Sequence, residues 1–512
     1  MNNSYQVTFH MIKILLCIFC VYIAGTSLSF AKTELSKAAV LEDSGELQRL
    51  LVKYHPNLNS HKSTSQLVEI WQEAEALLPL KPKLADAAAL FQKMLAAVCD
   101  EHTSIFTRNR NKPWGIEGSK FLPFGLVVVG EKLYIDGDDY SKERKIIVSI
   151  NDAKSAEIVS FLKSVTHVDG CVKTDTLLSN LSDINIVHSL VANFVGDTTK
   201  FVIELLDPVS GEISILERDG TSLRKFVNSQ NSKELHGISE QLKSVGIEVS
   251  AHKLKRVLSM KDDLLIGYSN DNSIAYVLTS IFAGTSKQDQ AFDRELRSLI
   301  KRNPKNVIID LTSNTGGALN GAKWFLSYFL NTNSKLQKQY RSKIKKPISE
   351  KSLTWNSNDN KRLHQREVSY FRNAGRYDKR LSQYIAPSNL RRSFGHPSYN
   401  GRLLVLISPQ SYSVALPVAA ELKRKAGASI IGNAGNVSMQ TGCFASPGKF
   451  TLKNTKIQFL MPLVCVDYES NVATKGNLLE PTVLIDLDAQ NSASFNAAAL
   501  KAALELIEDG QQ

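Results

Sequence analysis

Three serines crowd the start of SPQSYSVALPVAAELKR (408–424), between an apolar run and a helix-like stretch. The preceding GRLLVLI (401–407) is short and uninterrupted by charge after Arg402, so it reads as a buried strand. Good helix formers follow, with Val414, Val418 and Leu422 on one side and Pro417 early enough for a first turn. The order is therefore strand, tight turn, helix, with Ser413 at the helix start. A hydroxyl there points out of the sheet end beside the free N–H groups of a first turn, as a nucleophile requires. Serine is equally a favoured N-cap, a role that involves no chemistry. A second stretch, DLTSNTGG (310–317), supplies what a nucleophile would need. Asp310 closes a strand, and Asn314, Gly316 and Gly317 form a turn whose glycines let backbone N–H groups approach a ligand. Attack on a carbonyl places negative charge on its oxygen, so the expected oxyanion hole is the N–H of Gly316 or Gly317 together with that of Val414. Taken alone, the same pattern suits an ordinary strand-to-helix turn.

The elements that must position these residues fall into three textures. From 32 to 112 the chain reads as helical: SGELQRLLVKYHPNL, TSQLVEIWQEAEALL and LADAAALFQKMLAAV repeat apolar residues every three to four positions. In the last, Leu84, Ala88, Phe91, Leu95 and Val98 share a stripe that ends at CDEHTSIF. From 113 to 235 short strand-like runs alternate with Gly, Asn and Asp turns, with a helix near 154–164. From 236 onward strands and helices alternate, the α/β signature of a largely parallel sheet with crossover helices. Ligands of such sheets collect beyond the carboxyl ends of the strands, where Ser413 and DLTSNTGG both stand.

The 512 residues suffice for two to four domains with a sizeable core. Lys13 followed by ILLCIFCVYIAG and the small residues up to Ala31 reads as a secretory signal over 1–31, which makes the mature protein periplasmic or secreted. Cys17 and Cys20 lie inside it and drop out as a metal or redox motif. Of the remaining cysteines, Cys443 and Cys465 flank KFTLKNTKIQF, a hairpin around KNTK, and can face each other across two strands. Net charge is +12, and residues 331–400 carry all of it, with 16 Lys and Arg against four acids. This basic insertion reads as a solvated surface or as a site for an acidic partner such as an anionic envelope surface. No nucleic-acid-binding signature accompanies it. Neither H-E-x-x-H nor a phosphate loop occurs, and the histidines are scattered, so no metal and no cofactor is expected.

SIAYVLTSIFAG, NVIIDLTSNTGGALNGA, a strand with SYSVALPVAAELK, then ASIIGNAG and KGNLLEPTVLI stand in a familiar order. The chain resembles the C-terminal-processing (tail-specific) serine peptidases, in their tricorn-like and interphotoreceptor retinoid-binding protein-like branch. KYHPNL, CDEHTSIF, FLPFGLVVV and KIIVSIND extend the resemblance over most of the mature chain. It implies an α/β protein: a crotonase-like core over 236–512 containing the basic insertion, a helical N-terminal region and a β-rich PDZ-like module. It implies an endopeptidase working on polypeptides through an acyl-enzyme. The spacing from Ser413 to Gly432 matches that of the family nucleophile, with Ser411 in reserve. The family has Ala after the nucleophile and Glu three residues on, where this chain has Val414 and Leu416. The general-base lysine of bacterial members is missing from NAGNVSMQTG, where Ser438 stands near its place. The tricorn-like branch uses an upstream histidine instead, which implies His102 as base, with Glu469, Glu480 or Glu101 orienting it and Lys449 as a distant alternative base.

Two other readings share this scaffold. A catalytically inactive peptide-binding protein would account for the changes at Val414 and Leu416 and for the lost lysine. A crotonase-like acyl-CoA enzyme conflicts with the export signal, because that cofactor is cytosolic.

Overall fold

Helices Lys37–Tyr54, Thr64–Ala76 and Leu84–Ala96 come first among the described residues, each turning one apolar stripe inward. Their starts are chemically marked. The Ser36 hydroxyl accepts from the Ala39 N–H, and Ser63 and Gln66 form a reciprocal capping box. Ala88, Phe91, Leu95 and Val98 are buried together with Phe450, Phe459, Met461 and Leu463 from the far end of the sequence. The N-terminal helices thus share one core with a C-terminal hairpin. This computed structural model describes residues 35–510 except 101, 107–120, 137–144, 167–175, 179–189, 197–198, 223–234, 259–263, 283–285, 331–336, 355–357, 388–397, 434–440, 446, 469–478 and 486–494. The expected signal segment lies outside those residues, and among them no helix is long and apolar enough to cross a membrane.

In the middle of the chain an antiparallel sheet runs in the order Thr176–Leu178, Gly125–Val129, Lys132–Asp136, Ile146–Ile150, Lys200–Leu206, Ile213–Asp219. Helix Ser155–Val165 packs on one face through Ile158, Val159 and Leu162, giving this part its own core with Ile147, Phe201 and Ile203. The other face carries exposed Ile213 and Ile215.

The six-stranded sheet that follows runs Val483–Leu484, Ser429–Gly432, Arg402–Ile407, Asn306–Asp310, Ile274–Leu278, Leu265–Tyr268. All its pairings are parallel except the last. Alternation along each strand divides the side chains between two cores. Val277, Val307, Ile309, Val405 and Ile407 meet helices Ser286–Arg302, Leu319–Ser327 and Ala415–Ala426 on one face. Tyr276, Ile308, Leu404 and Leu406 meet helices Ala251–Leu258 and Phe495–Asp509 on the other.

The basic segment is more than a solvated appendage. Its strands Gln337–Ser342 and Gln383–Pro387 join Val464–Tyr468 in a five-stranded sheet, and Leu353–Thr354 closes a second sheet containing Ser104–Phe106 and the hairpin Gly448–Thr451/Gln458–Met461. Cys443 and Cys465 are joined by a disulfide between paired strands, a closed loop that limits the unfolded chain. Glu350 fastens the segment to the first helix by accepting from Arg49 (3.0 Å), Lys53 (2.8 Å) and the Tyr54 hydroxyl (2.7 Å).

Those hydrogen bonds, Arg49 first, draw the Glu350 carboxyl down to about 2 from an ordinary 4.5. Because the folded-state value is the lower one, the stabilisation is complete above pH 4.5 and is lost as pH falls towards 2. Glu350→Gln is therefore expected to be less stable than the native chain at neutral pH, with the gap closing as pH falls through that window. Urea midpoints at neutral pH and at pH 3 would check this, and a gap independent of pH would contradict it.

Candidate active site

The turn between strand Arg402–Ile407 and helix Ala415–Ala426 is built by its own serines. The Ser411 hydroxyl donates to the Leu311 carbonyl (2.8 Å) and accepts from the Ser408 N–H (2.9 Å). The Ser408 hydroxyl donates to the Thr312 carbonyl. Both are committed to holding this turn against the neighbouring strand end. Ser413 differs. It is not the N-cap: Val414 occupies that position, and no side chain caps the helix. Ser413 adopts φ 56°, a left-handed conformation costing a non-glycine residue about 1–2 kcal/mol.

The Ser413 hydroxyl meets His102. Nε2 of the imidazole lies 3.1 Å from Ser413 Oγ across 311 residues of chain. Helix Leu84–Ala96 is capped at Ala97, and Cys99 at φ 60° then turns the chain into Asp100 and His102 before strand Ser104–Phe106 pairs with Gln458–Met461. Asp100 Oδ1 accepts the backbone N–H of His102 (3.0 Å) and lies 3.7 Å from its Nδ1. Oδ2 of the same carboxylate contacts His55 Nε2 (2.7 Å) and accepts from the Thr103 hydroxyl (2.8 Å). Burial alone would raise the Asp100 pKa, but the hydrogen bonds from His102 and His55 outweigh it and hold the carboxyl well below the usual carboxylate range. The site therefore contains a buried negative charge directly behind the imidazole. The Tyr412 ring packs against His102 with centroids 5.0 Å apart.

Asn314 organises the opposite wall. Its amide donates to the Thr279 carbonyl (2.8 Å) and accepts from the Gly316 N–H (2.8 Å), while its own carbonyl accepts from the Tyr412 N–H (2.9 Å). One residue thus ties the glycine turn, through its side chain, to the serine turn, through its backbone carbonyl. Gly316 and Gly317 sit at φ 90° and 119°. Because Asn314 takes the Gly316 N–H, the donors expected for an oxyanion hole narrow to Gly317 and Val414, whose N–H groups make no hydrogen bond among the described residues. A Cβ on Gly316 would lie 2.5 Å from Ser413 Cβ and 3.1 Å from its Oγ. Gly316→Ala is expected to push Ser413 aside and lower kcat about a hundredfold. Steady-state kinetics on a cleaved peptide would measure this, and a variant within threefold of the native rate would contradict it.

Not every expected residue comes to this place. Glu480 is exposed, and its carbonyl accepts from Lys423 (2.8 Å) near the far end of helix Ala415–Ala426. That helix runs away from Ser413, so Glu480 is not brought to His102. Glu469, Glu101 and Ser438 lie outside the described residues. Lys449 is buried in strand Gly448–Thr451 with its amine over the Phe106 ring. Asp310 is buried as a loop anchor, accepting from Tyr276 and from the N–H and hydroxyl of Thr312. Among the described residues the carboxylate beside His102 is that of Asp100, which is not one of the three glutamates, Glu469, Glu480 and Glu101, named from the sequence. Its signal was there: an Asp two residues before a His can close a turn onto that residue's own N–H.

Residues 273–462 match the family model described as Peptidase family S41. No curated protein matches the sequence. Among solved structures, mature CPAF complexed with lactacystin gives a TM-score of 0.54 at 13% identity, over 92% of this chain and 98% of that one. A mutant of CPAF gives 0.56 at 13%, over 92% and 97%. Mature CPAF alone gives 0.51 at 12%, over 92% and 96%. At such identities the likeness is one of fold.

Proposed function

We propose that this chain, a serine-type peptidase whose residues 273–462 match the model of peptidase family S41, is an endopeptidase working through an acyl-enzyme on Ser413. One observation carries the proposal: the 3.1 Å approach of His102 Nε2 to a serine hydroxyl held in a left-handed turn. His102 takes the Ser413 proton as Oγ attacks the scissile carbonyl. The resulting oxyanion accepts from the N–H groups of Gly317 and Val414, the second being the free N-terminus of helix Ala415–Ala426. His102 then protonates the leaving amine, and water releases the acyl group by the reverse sequence. Asp100 holds the imidazole in orientation and offsets the positive charge it gains.

Val414 in place of the family alanine leaves this scheme intact. Its side chain is fully buried in the core beneath the turn, so the substitution leaves the backbone N–H in place. Of the departures that suggested an inactive binding protein, the one at Val414 therefore reads as a packing change. In this proposal the parallel-sheet region 236–512 is the crotonase-like core, 113–235 a PDZ-like module and 32–112 the helical region. The substrate is an extended polypeptide, and the protein acts outside the cytoplasm after loss of residues 1–31, with the basic residues of 331–400 available to an anionic envelope surface.

A fluorophosphonate probe tests the hydrolase. Labelling is expected for the native chain and for a Ser411 variant that folds, and is expected to vanish in Ser413→Ala. Lactacystin, present in the CPAF complex, offers an independent competitor for the same labelling. Absence of labelling in the native protein would favour the peptide-binding alternative.

A further inference from the structure

Behind the His102–Asp100 pair lies a second histidine with no part in the scheme above. His55 is fully buried, as is Thr103, and Asp100 is 2% exposed. The Asn57 N–H donates to His55 Nδ1 (3.2 Å), so that nitrogen carries no proton and Nε2 must carry it. Nε2 lies 2.7 Å from Asp100 Oδ2, leaving Oδ1 facing His102. We propose that His55 is a positioning residue for catalysis, a fixed Nε2–H donor that locks the Asp100 carboxylate in the rotation that serves His102. The inference rests on the hydrolase reading of Ser413 and His102.

Three features argue that this contact is built for orientation. First, a carboxylate with a single anchored oxygen rotates; Asp100 Oδ2 has two donors, His55 and the Thr103 hydroxyl, so its plane is fixed and its other oxygen is delivered to one place. Second, the His55 ring is itself held. His55 follows helix Lys37–Tyr54, whose last carbonyls it caps through its own N–H to Leu51 (2.9 Å). Third, the turn after it is clamped by the basic segment. Arg341, ion-paired with Asp467 (2.9 Å), also donates to the Asn57 side chain (3.3 Å), and Gln383 donates to the Pro56 carbonyl. A continuous chain of buried and part-buried polar contacts thus runs from the 331–400 segment through His55 and Asp100 to His102. The segment that carries the whole net charge of the protein is, on its inner side, part of the support of the site.

The test uses the full-length mature chain with three substitutions. His55→Phe keeps the ring volume and removes the donor. It is expected to lower kcat ten- to a hundredfold with KM within threefold, and to slow fluorophosphonate labelling by the same factor. His55→Gln places an amide N–H where Nε2 stood and is expected to restore most of the loss. Thr103→Val removes the other donor to the same oxygen, and its effect is expected to be non-additive with His55→Phe. Full activity in His55→Phe would overturn the inference. So would a His55→Gln variant that folds, by its thermal transition, yet loses as much as His55→Phe. If the native chain is not labelled at all, the hydrolase reading itself fails and takes this inference with it. Labelling that occurs and is unchanged by His55→Phe removes the inference alone.

Discussion

Ser413→Ala is expected to lower kcat for a cleaved polypeptide about a million-fold, with little change in affinity for that polypeptide. The substitution removes one oxygen whose described partner is His102 and leaves the turn standing, because Ser408, Ser411 and Asn314 make the hydrogen bonds that hold it. His102→Ala is expected to cost a similar factor, since an unactivated serine hydroxyl is a poor nucleophile near neutral pH. The double variant should lose little more than either single one, because the two groups act as one unit. Any cleavage remaining in all three would come from the backbone N–H groups of Gly317 and Val414. Progress curves on an unfolded protein substrate, with thermal transitions as a folding control, would measure this. A Ser413→Ala variant that still cleaves at native rates moves the nucleophile elsewhere.

Asp100→Asn carries the second-largest expected loss, about ten-thousandfold in kcat, with a native-like thermal transition. The asparagine would keep its carbonyl oxygen at the Oδ2 position, where His55 and Thr103 both present donors. Its amide nitrogen must then take the Oδ1 position, which accepts the His102 N–H and faces Nδ1. A donor would point at donors, and the negative charge that stabilises the imidazolium would be gone. The imidazole would lose both its orientation and its electrostatic support while the packing around it stayed the same. A loss of less than tenfold in a folded Asp100→Asn protein would assign the orienting role to another carboxylate.

The basic segment shows how a charge count can mislead. Sixteen Lys and Arg over 331–400 read as a solvated surface, and most of those side chains are indeed outside the core. Arg341, however, is buried between Asp467, Gln383 and Asn57, and the strand that carries it lies inside a five-stranded sheet. Charge composition reports an average over a segment, whereas alternation along a strand sends neighbouring residues to opposite faces. One residue of a basic run can be structural while those beside it remain solvated.

The local chemistry of this protein was written in its sequence. Strand Arg402–Ile407 followed by a helix, the glycine turn after Asp310, and the apolar stripe of Leu84–Ala96 are all set by periodicity and turn residues acting over a dozen positions. Local pattern alone did not separate the three serines, a choice that took the family spacing to Gly432, and it left open which carboxylate faces the base. Those answers depend on contacts between residues hundreds of positions apart, His102 with Ser413 and Asp100 with His55, whose distances follow from how separate cores pack rather than from any local pattern. Glu480 looked as eligible as Asp100 on type alone; it is the path of one helix away from Ser413 that separates it from the site. Residue type decides what a side chain is able to do, and only the folded chain decides what it is next to.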